Sequence, residues 1–202
     1  MMLRYVTLII FLLFFSLEAF AELPPDQLIR QTVERLIDEL AKRKPHLERD
    51  RAQLYEMVDR VIVEHIAVEK VSKLVLGRHW RNASLTQRIR FSTEFKNLLI
   101  RTYASALFDY TGREETTFRR TTLQGSERTT VVRTDVKLSG TRAIPVNYKL
   151  LRLESGEWKI FDVTINGISL VTNYRASYGR IIRDEGLDGL IKRLEKKMAQ
   201  AQ

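Results

Sequence analysis

Apolar positions follow two different periods along this 202-residue chain. Over residues 24–112 they recur every three to four residues, the spacing of a half-buried helix. Pro24, Pro25 and Asp26 open a first helix, on which Ile29, Val33, Leu36, Ile37 and Leu40 share a face; residues 42–45 end it. Leu54, Met57, Val58, Val61 and Ile62 predict a second helix, and residues 68–76 a short third one that stops at Gly77. Ser84, Leu85, Thr86 and Gln87 form a capping box, in which Ser and Gln satisfy each other's free backbone donors. The helix it opens is long and carries Phe91, Phe95, Leu98, Leu99, Tyr103, Ala106, Leu107 and Tyr110 on one broad face, with Gly112 at its end. Beyond Gly112 the period drops to two. Thr130, Val132, Thr134, Val136 and Leu138 alternate with polar residues, as do Ile144, Val146, Tyr148 and Leu150. Trp158, Ile160, Phe161, Val163 and Ile165 form a further apolar strand. Gly125, Gly140 and Gly156, each beside a serine, punctuate these runs at hairpin spacing. The pattern predicts a meandering antiparallel sheet of about four strands, with Pro145 marking an edge or a bulge. Helical spacing returns over residues 170–184 and 187–197. Helices, then sheet, then helices define an α+β domain.

The first 21 residues read differently. Arg4 precedes an apolar run over residues 6–17, which Ala19, Phe20 and Ala21 follow as a small-x-small cleavage site. That is the layout of a secretory signal peptide, and the run is shorter than the roughly 20 residues a membrane span needs. The expected organisation is a signal peptide over residues 1–21, cleaved near Ala21, and a single domain over residues 22–202, working in the periplasm. The formal net charge is +9. In an exported protein this points to anionic lipid or acidic partner surfaces rather than to nucleic acid. The chain has no cysteine, which excludes disulfides, thiolate chemistry and Cys-ligated metals.

Two runs carry a family resemblance. LGRHWRNASLTQ (residues 76–87) is followed by Phe91, Phe95, Leu98, Leu99 and the run Arg101, Thr102, Tyr103, Ala104. WKIFDVTINGISLVTNYR (residues 158–175) is the more specific, with Trp, Asp, Asn-Gly, Ser and Tyr-Arg at fixed offsets. Together they resemble the MlaC family, also called toluene-tolerance auxiliary proteins; Glu64, His65, Ile66 and Ala67 match it more loosely, standing where the family often has an aromatic-acidic pair. The resemblance implies a nuclear-transport-factor-2-like shape, with N-terminal helices, a curved antiparallel sheet and C-terminal helices enclosing an apolar pocket. It implies a diacyl phospholipid as cargo, with no cofactor and no metal. It also implies exchange with an outer-membrane lipoprotein complex and with the MCE-domain ring of an inner-membrane ABC transporter, maintaining outer-membrane lipid asymmetry. Transient membrane contact, a monomeric state and no nucleic-acid partner are expected alongside.

For such a carrier, two acyl chains of about 16 carbons at ~0.8 kcal/mol per buried methylene represent on the order of 25 kcal/mol of burial. Release into water would be too slow, so transfer has to occur through docked contact. The pocket candidates on the long helix are Phe91, Phe95, Leu98, Leu99 and Tyr103. One sheet face offers Val132, Val136, Val146, Tyr148, Val163 and Ile165, and the following turn region Ile168, Val171 and Tyr174. Lining a pocket and filling a core demand the same residue types, so the pattern does not separate the two at any single position. Asn166 and Gly167 predict a tight turn, and Asp162, amid apolar neighbours, either a structural ion pair, for which Arg175 is an available partner, or a backbone hydrogen bond. Trp80 reads as an anchor between helices. The basic residues Arg113, Arg119, Arg120 and Arg128, and Lys192, Arg193, Lys196 and Lys197, are candidates for docking. The competing classes are an enzyme of the same shape, a periplasmic carrier of another hydrophobic cargo, and an interaction module with a filled interior. For the enzyme the inventory is thin: His46, His65 and His79 make no metal-spaced pair, and no Gly-x-Ser-x-Gly elbow is present. No catalytic residue is assigned.

Overall fold

The computed structural model describes residues 23–104, 107, 115–119, 128–137 and 142–200. The expected signal peptide, Ala106, Tyr110, Gly112, Arg113, Arg120, Gly125, Leu138 and Gly140 lie outside the described residues. Helices α1 (Pro25–Arg49) and α2 (Arg51–Ile62) lead through a 3-10 turn (Val63–His65) to α3 (Val68–Leu76), the single turn α4 (His79–Asn82) and α5 (Leu85–Ala104). Strands β1 (Glu115–Phe118), β2 (Thr129–Lys137), β3 (Ile144–Arg152), β4 (Trp158–Ile165) and β5 (Ile168–Ser169) follow, then α6 (Leu170–Gln200). The sheet is an antiparallel meander in the order β1-β2-β3-β4-β5. It therefore has five strands rather than four, the fifth being two residues long.

The helix ends show which local signals held. The capping box is made as its sequence requires: Ser84 N–H donates to Gln87 Oε1 at 3.0 Å and Gln87 N–H to Ser84 Oγ at 3.1 Å. Helix α1 runs past the expected stop, through Pro45 to Arg49. Proline cannot donate to the carbonyl four residues back. The extra turn instead buries Leu47 completely against Leu40, Leu54 and Met57, and that packing outweighs the lost bond. Helix α6 breaks at Gly186 (φ 73°, ψ 174°), between the two segments that the spacing separates.

Pro145 lies in a central strand, not at an edge: β3 pairs with β2 on one side and β4 on the other. It is tolerated because the β3–β4 pairing begins only at Val146. The bulge falls elsewhere. Lys149 pairs with Asp162 and Leu150 with Ile160, so Phe161 is an extra residue on β4. A bulge bends its strand and reverses which side chains face inward. Here it puts Ile160 and Asp162 on opposite faces, where strict alternation would put them together. At the same point Ile66 bridges to Ile160, with Ala67 N–H donating to the Ile160 carbonyl at 2.9 Å.

Three apolar clusters hold the layers together. α3, α5 and α6 meet around Trp80, Phe91, Phe95, Leu98, Tyr178 and Ile191. α1, α2 and α5 meet around Leu47, Leu54, Met57 and Ile100. α1 lies on the sheet through Leu28 and Ile29 against Val132, Leu150 and Ile160. The helices touch the sheet through α1, α3 and α6.

Candidate functional site

Between these contacts, helices and sheet separate around a cavity of about 410 Å³, within the range of small-ligand pockets. Its helical wall comes from Val58 and Ile62 of α2, Val68 and Val71 of α3, and Phe95, Leu99, Ile100, Tyr103 and Ala104 of α5, with Val63, Ile66 and Leu107 beside them. The sheet contributes Val146, Tyr148, Ile160, Phe161, Val163 and Ile165, and the start of α6 Leu170 and Val171. Only Lys96, Tyr103, Tyr148 and Asp162 bring polar side chains to this wall among the described residues. Ile62, Leu99, Val146 and Val163 are only half-buried although they lie inside the fold. They border the open space, and Ile62, Leu99 and Val163 also pack against the core clusters.

Of the residues expected to line a pocket, Phe95, Leu99, Tyr103, Val146, Tyr148, Val163, Ile165 and Val171 stand on the cavity wall. Six others do not. Phe91 and Leu98 lie in the solid α3–α5–α6 core, because α5 turns their side of the helix toward α6. Tyr174 joins Phe91, Phe95 and Tyr178 in an aromatic cluster with ring centroids 5.0–6.1 Å apart. Such edge and stacked contacts stabilise packing beyond area alone. Val132 is fully buried beneath α1. Val136, near the far end of β2, is half-buried and off the wall. Ile168 is 61% exposed, since the Asn166-Gly167 turn carries it outward. That turn forms as expected, with φ 49° and 82° at its two residues. The wall residues not named as candidates include Val58 and Ile62 of α2, Val63 and Ile66 between α2 and α3, Val68 and Val71 of α3, Ile100 of α5, and Ile160 and Phe161 of β4. Val58 and Ile62 belong to the apolar pattern of the second helix, and the apolar run that continues past it through Val63, Ile66 and Val68 was the available signal.

Asp162 is not paired with Arg175. Its carboxylate accepts from Ser169 Oγ at 2.7 Å, from Lys149 Nζ at 3.0 Å and from the Val171 N–H at 3.2 Å. With Ser169 Oγ accepting from Thr172 N–H at 3.1 Å, it caps the start of α6. Arg175 packs instead over Gly77, where a Cβ would stand 3.3 Å from its Nε. Asp162 is therefore a satisfied structural group that ties β4 to α6. Burial pushes the phenols of Tyr148, Tyr174 and Tyr178 above their ordinary value. A hydrogen bond with Thr134 partly offsets this at Tyr148.

Trp80 is buried as an anchor, with the Arg88 guanidinium 5.2 Å above its ring. None of the three histidines reaches the cavity. His65 borders a separate cleft of about 250 Å³ with Leu23, Leu28, Glu64 and Trp158. Burial holds its imidazole below its ordinary value, against the attraction of Glu64 at 3.4 Å. No group of three or more metal-ligating side chains occurs among the described residues. None of the described helices is long and apolar enough to cross a membrane.

Comparison with known proteins adds to this geometry. The family described as MlaC protein matches residues 30–196. The chain is 24% identical over 183 residues to the intermembrane phospholipid transport system binding protein MlaC of Haemophilus influenzae, covering 90% of this chain and 86% of that protein. It is 26% identical over 186 residues to the toluene tolerance protein ttg2D of Pseudomonas putida, covering 91% and 80%. Among solved structures, the phospholipid-binding protein of Ralstonia solanacearum, in complex with a phospholipid, superposes with a TM-score of 0.81 at 23% identity. That match covers 89% of this chain and 99% of the other. The helices and antiparallel sheet of this chain share the fold of that protein.

Proposed function

The chain belongs to the MlaC family, and we propose that it is a periplasmic carrier of diacyl phospholipid. The observation that carries this reading is the cavity: about 410 Å³ inside the fold, walled almost wholly by aliphatic and aromatic side chains. The phospholipid held by the Ralstonia solanacearum protein of the same fold supports it. The name of the Haemophilus influenzae relative supports transport between membranes. In this reading the acyl chains occupy the space between α2, α5 and the sheet, and the head group stays toward solvent. The site is Phe95, Leu99, Tyr103, Val146, Tyr148, Val163, Ile165 and Val171, together with Ile62, Ile66, Ile100 and Phe161.

Moving a diacyl lipid through water would forfeit on the order of 25 kcal/mol of burial. A cavity that matches the bilayer removes that cost while it holds the lipid, so only loading and release need the carrier docked on a donor or acceptor. The proposed donor and acceptor are an outer-membrane lipoprotein complex and the MCE-domain ring of an inner-membrane ABC transporter, with maintenance of outer-membrane lipid asymmetry as the result. The proposed organisation is a signal peptide over residues 1–21 and a single lipid-binding domain thereafter, acting as a monomer. No step of carrying requires bond chemistry, and the buried carboxylate nearest the cavity, Asp162, is committed to capping α6.

Native mass spectrometry of the mature protein, purified without detergent, tests the reading. A stoichiometric diacyl phospholipid adduct is expected. A clean unliganded mass that persists after incubation with phospholipid vesicles would overturn it.

A further inference from the structure

Lys96 is the one cation on the cavity wall among the described residues. It lies on the same face of α5 as Leu85, Ile89, Ile100 and Tyr103, since separations of 4, 11, 15 and 18 residues return close to whole turns. Along that face Leu85 is 71% and Ile89 58% exposed, the Lys96 side chain 28%, Ile100 is buried and Tyr103 is 38% exposed. Lys96 is therefore a part-exposed wall residue, reachable both from solvent and from the cavity. Its ammonium donates to Asp59 Oδ1 at 2.7 Å. Asp59 is on α2 next to Val58, a wall residue, but is not itself on the wall. The other three polar side chains of the wall are engaged: Asp162 with Ser169, Lys149 and the α6 backbone, Tyr148 with Thr134, and Tyr103 with Tyr174.

We propose that Lys96 is the binding group for the phosphate of the lipid headgroup, and that Asp59 holds its ammonium in place when no phosphate is present. The proposal rests on the carrier reading of the cavity. An ammonium has three donors, so Lys96 turns toward an incoming phosphate without wholly leaving Asp59. The Lys96–Asp59 pair is partly exposed, and such pairs contribute little by themselves, so exchanging one anion for the other has a small cost. The acyl chains then lie beyond Lys96, along Leu99, Ile100 and Phe95. Recognition of this kind reads the phosphate and not the group esterified to it, so it separates phospholipids from uncharged diacyl lipids.

The test is a competition on the mature protein between dioleoyl phosphatidylglycerol and dioleoylglycerol, which share their tails, presented in mixed vesicles and read as bound ratio by native mass spectrometry. Wild-type protein is expected to favour the phospholipid by roughly tenfold or more, the effect of one charge-assisted hydrogen bond. Lys96→Gln should bring the ratio close to one while total lipid occupancy persists. Asp59→Asn should raise the ratio above the wild-type value, because the competing carboxylate is gone. An unchanged ratio in both variants overturns the proposal, whatever either does to stability. A wild-type ratio close to one, with both lipids bound, would overturn the headgroup assignment. Absence of both lipids from wild-type protein would instead fail the carrier reading, and the proposal with it.

Discussion

Leu98 and Leu99 are neighbours on α5 with opposite surroundings, and substituting each separates core from cavity. Leu98 is 3% exposed and packed into the α3–α5–α6 cluster. Truncation to Ala there removes buried methylenes and leaves a void, at a cost of about 3 kcal/mol. For a domain of this size, each kcal/mol lowers Tm by roughly 2–4 °C, so Leu98→Ala should lose about 6–12 °C. Leu99 faces the open space, with few atoms on its cavity side. Leu99→Ala only enlarges a void that already exists, so its cost should be near 1 kcal/mol, or about 2–4 °C. Leu99→Glu then tests the site itself. Its carboxylate reaches solvent through the unliganded cavity, so the fold survives. Against an acyl chain the same charge is buried unpaired, which costs at least ~3 kcal/mol and should cut lipid occupancy by 100-fold or more. Circular dichroism melts give the Tm values, and lipid extraction from purified protein gives the occupancy. Equal Tm losses for the two Ala variants, or undiminished lipid in Leu99→Glu, would refute the division of α5 into a core face and a cavity face.

Three further outcomes are expected. Asp162→Ala removes the three hydrogen bonds that tie β4 to Lys149 of β3, Ser169 of β5 and the α6 backbone and should cost about 3 kcal/mol in urea unfolding, whereas Lys149→Met, which leaves two of them, should cost under about 1 kcal/mol. Ser84→Ala breaks the capping box of α5 and should cost about 1 kcal/mol with the urea m-value unchanged. The raised phenols of Tyr148, Tyr174 and Tyr178 keep their protons longer in the folded state than in the unfolded one, so stability should hold below pH about 10 and fall progressively above it. Tyr178→Phe should soften that alkaline loss and be close to neutral at pH 7, because the buried Tyr178 hydroxyl has no hydrogen-bond partner; a large loss at pH 7 would contradict this.

The sequence by itself determined the elements, their order and the family. Helical spacing up to residue 104, alternation from β2 onward, the Ser84–Gln87 box and the Asn166-Gly167 turn are local signals, and local backbone sterics enforce them. The helix end expected at residues 42–45 did not form, because the burial of Leu47 was not visible along the chain, and the fifth strand and the central place of Pro145 were not legible either. What only the tertiary structure decided is which apolar residues enclose space and which fill it. Phe91 and Phe95 are one helical turn apart and chemically identical, yet Phe95 reaches the cavity wall and Phe91 does not. The deciding facts are the path of α6 across α5 and the extra residue Phe161 in β4, which turns Ile160 and Asp162 to opposite faces. Periodicity reports that a face is apolar. Whether another element arrives to cover that face depends on contacts between residues distant in sequence, as between Phe95 and Tyr174, and no local pattern encodes them.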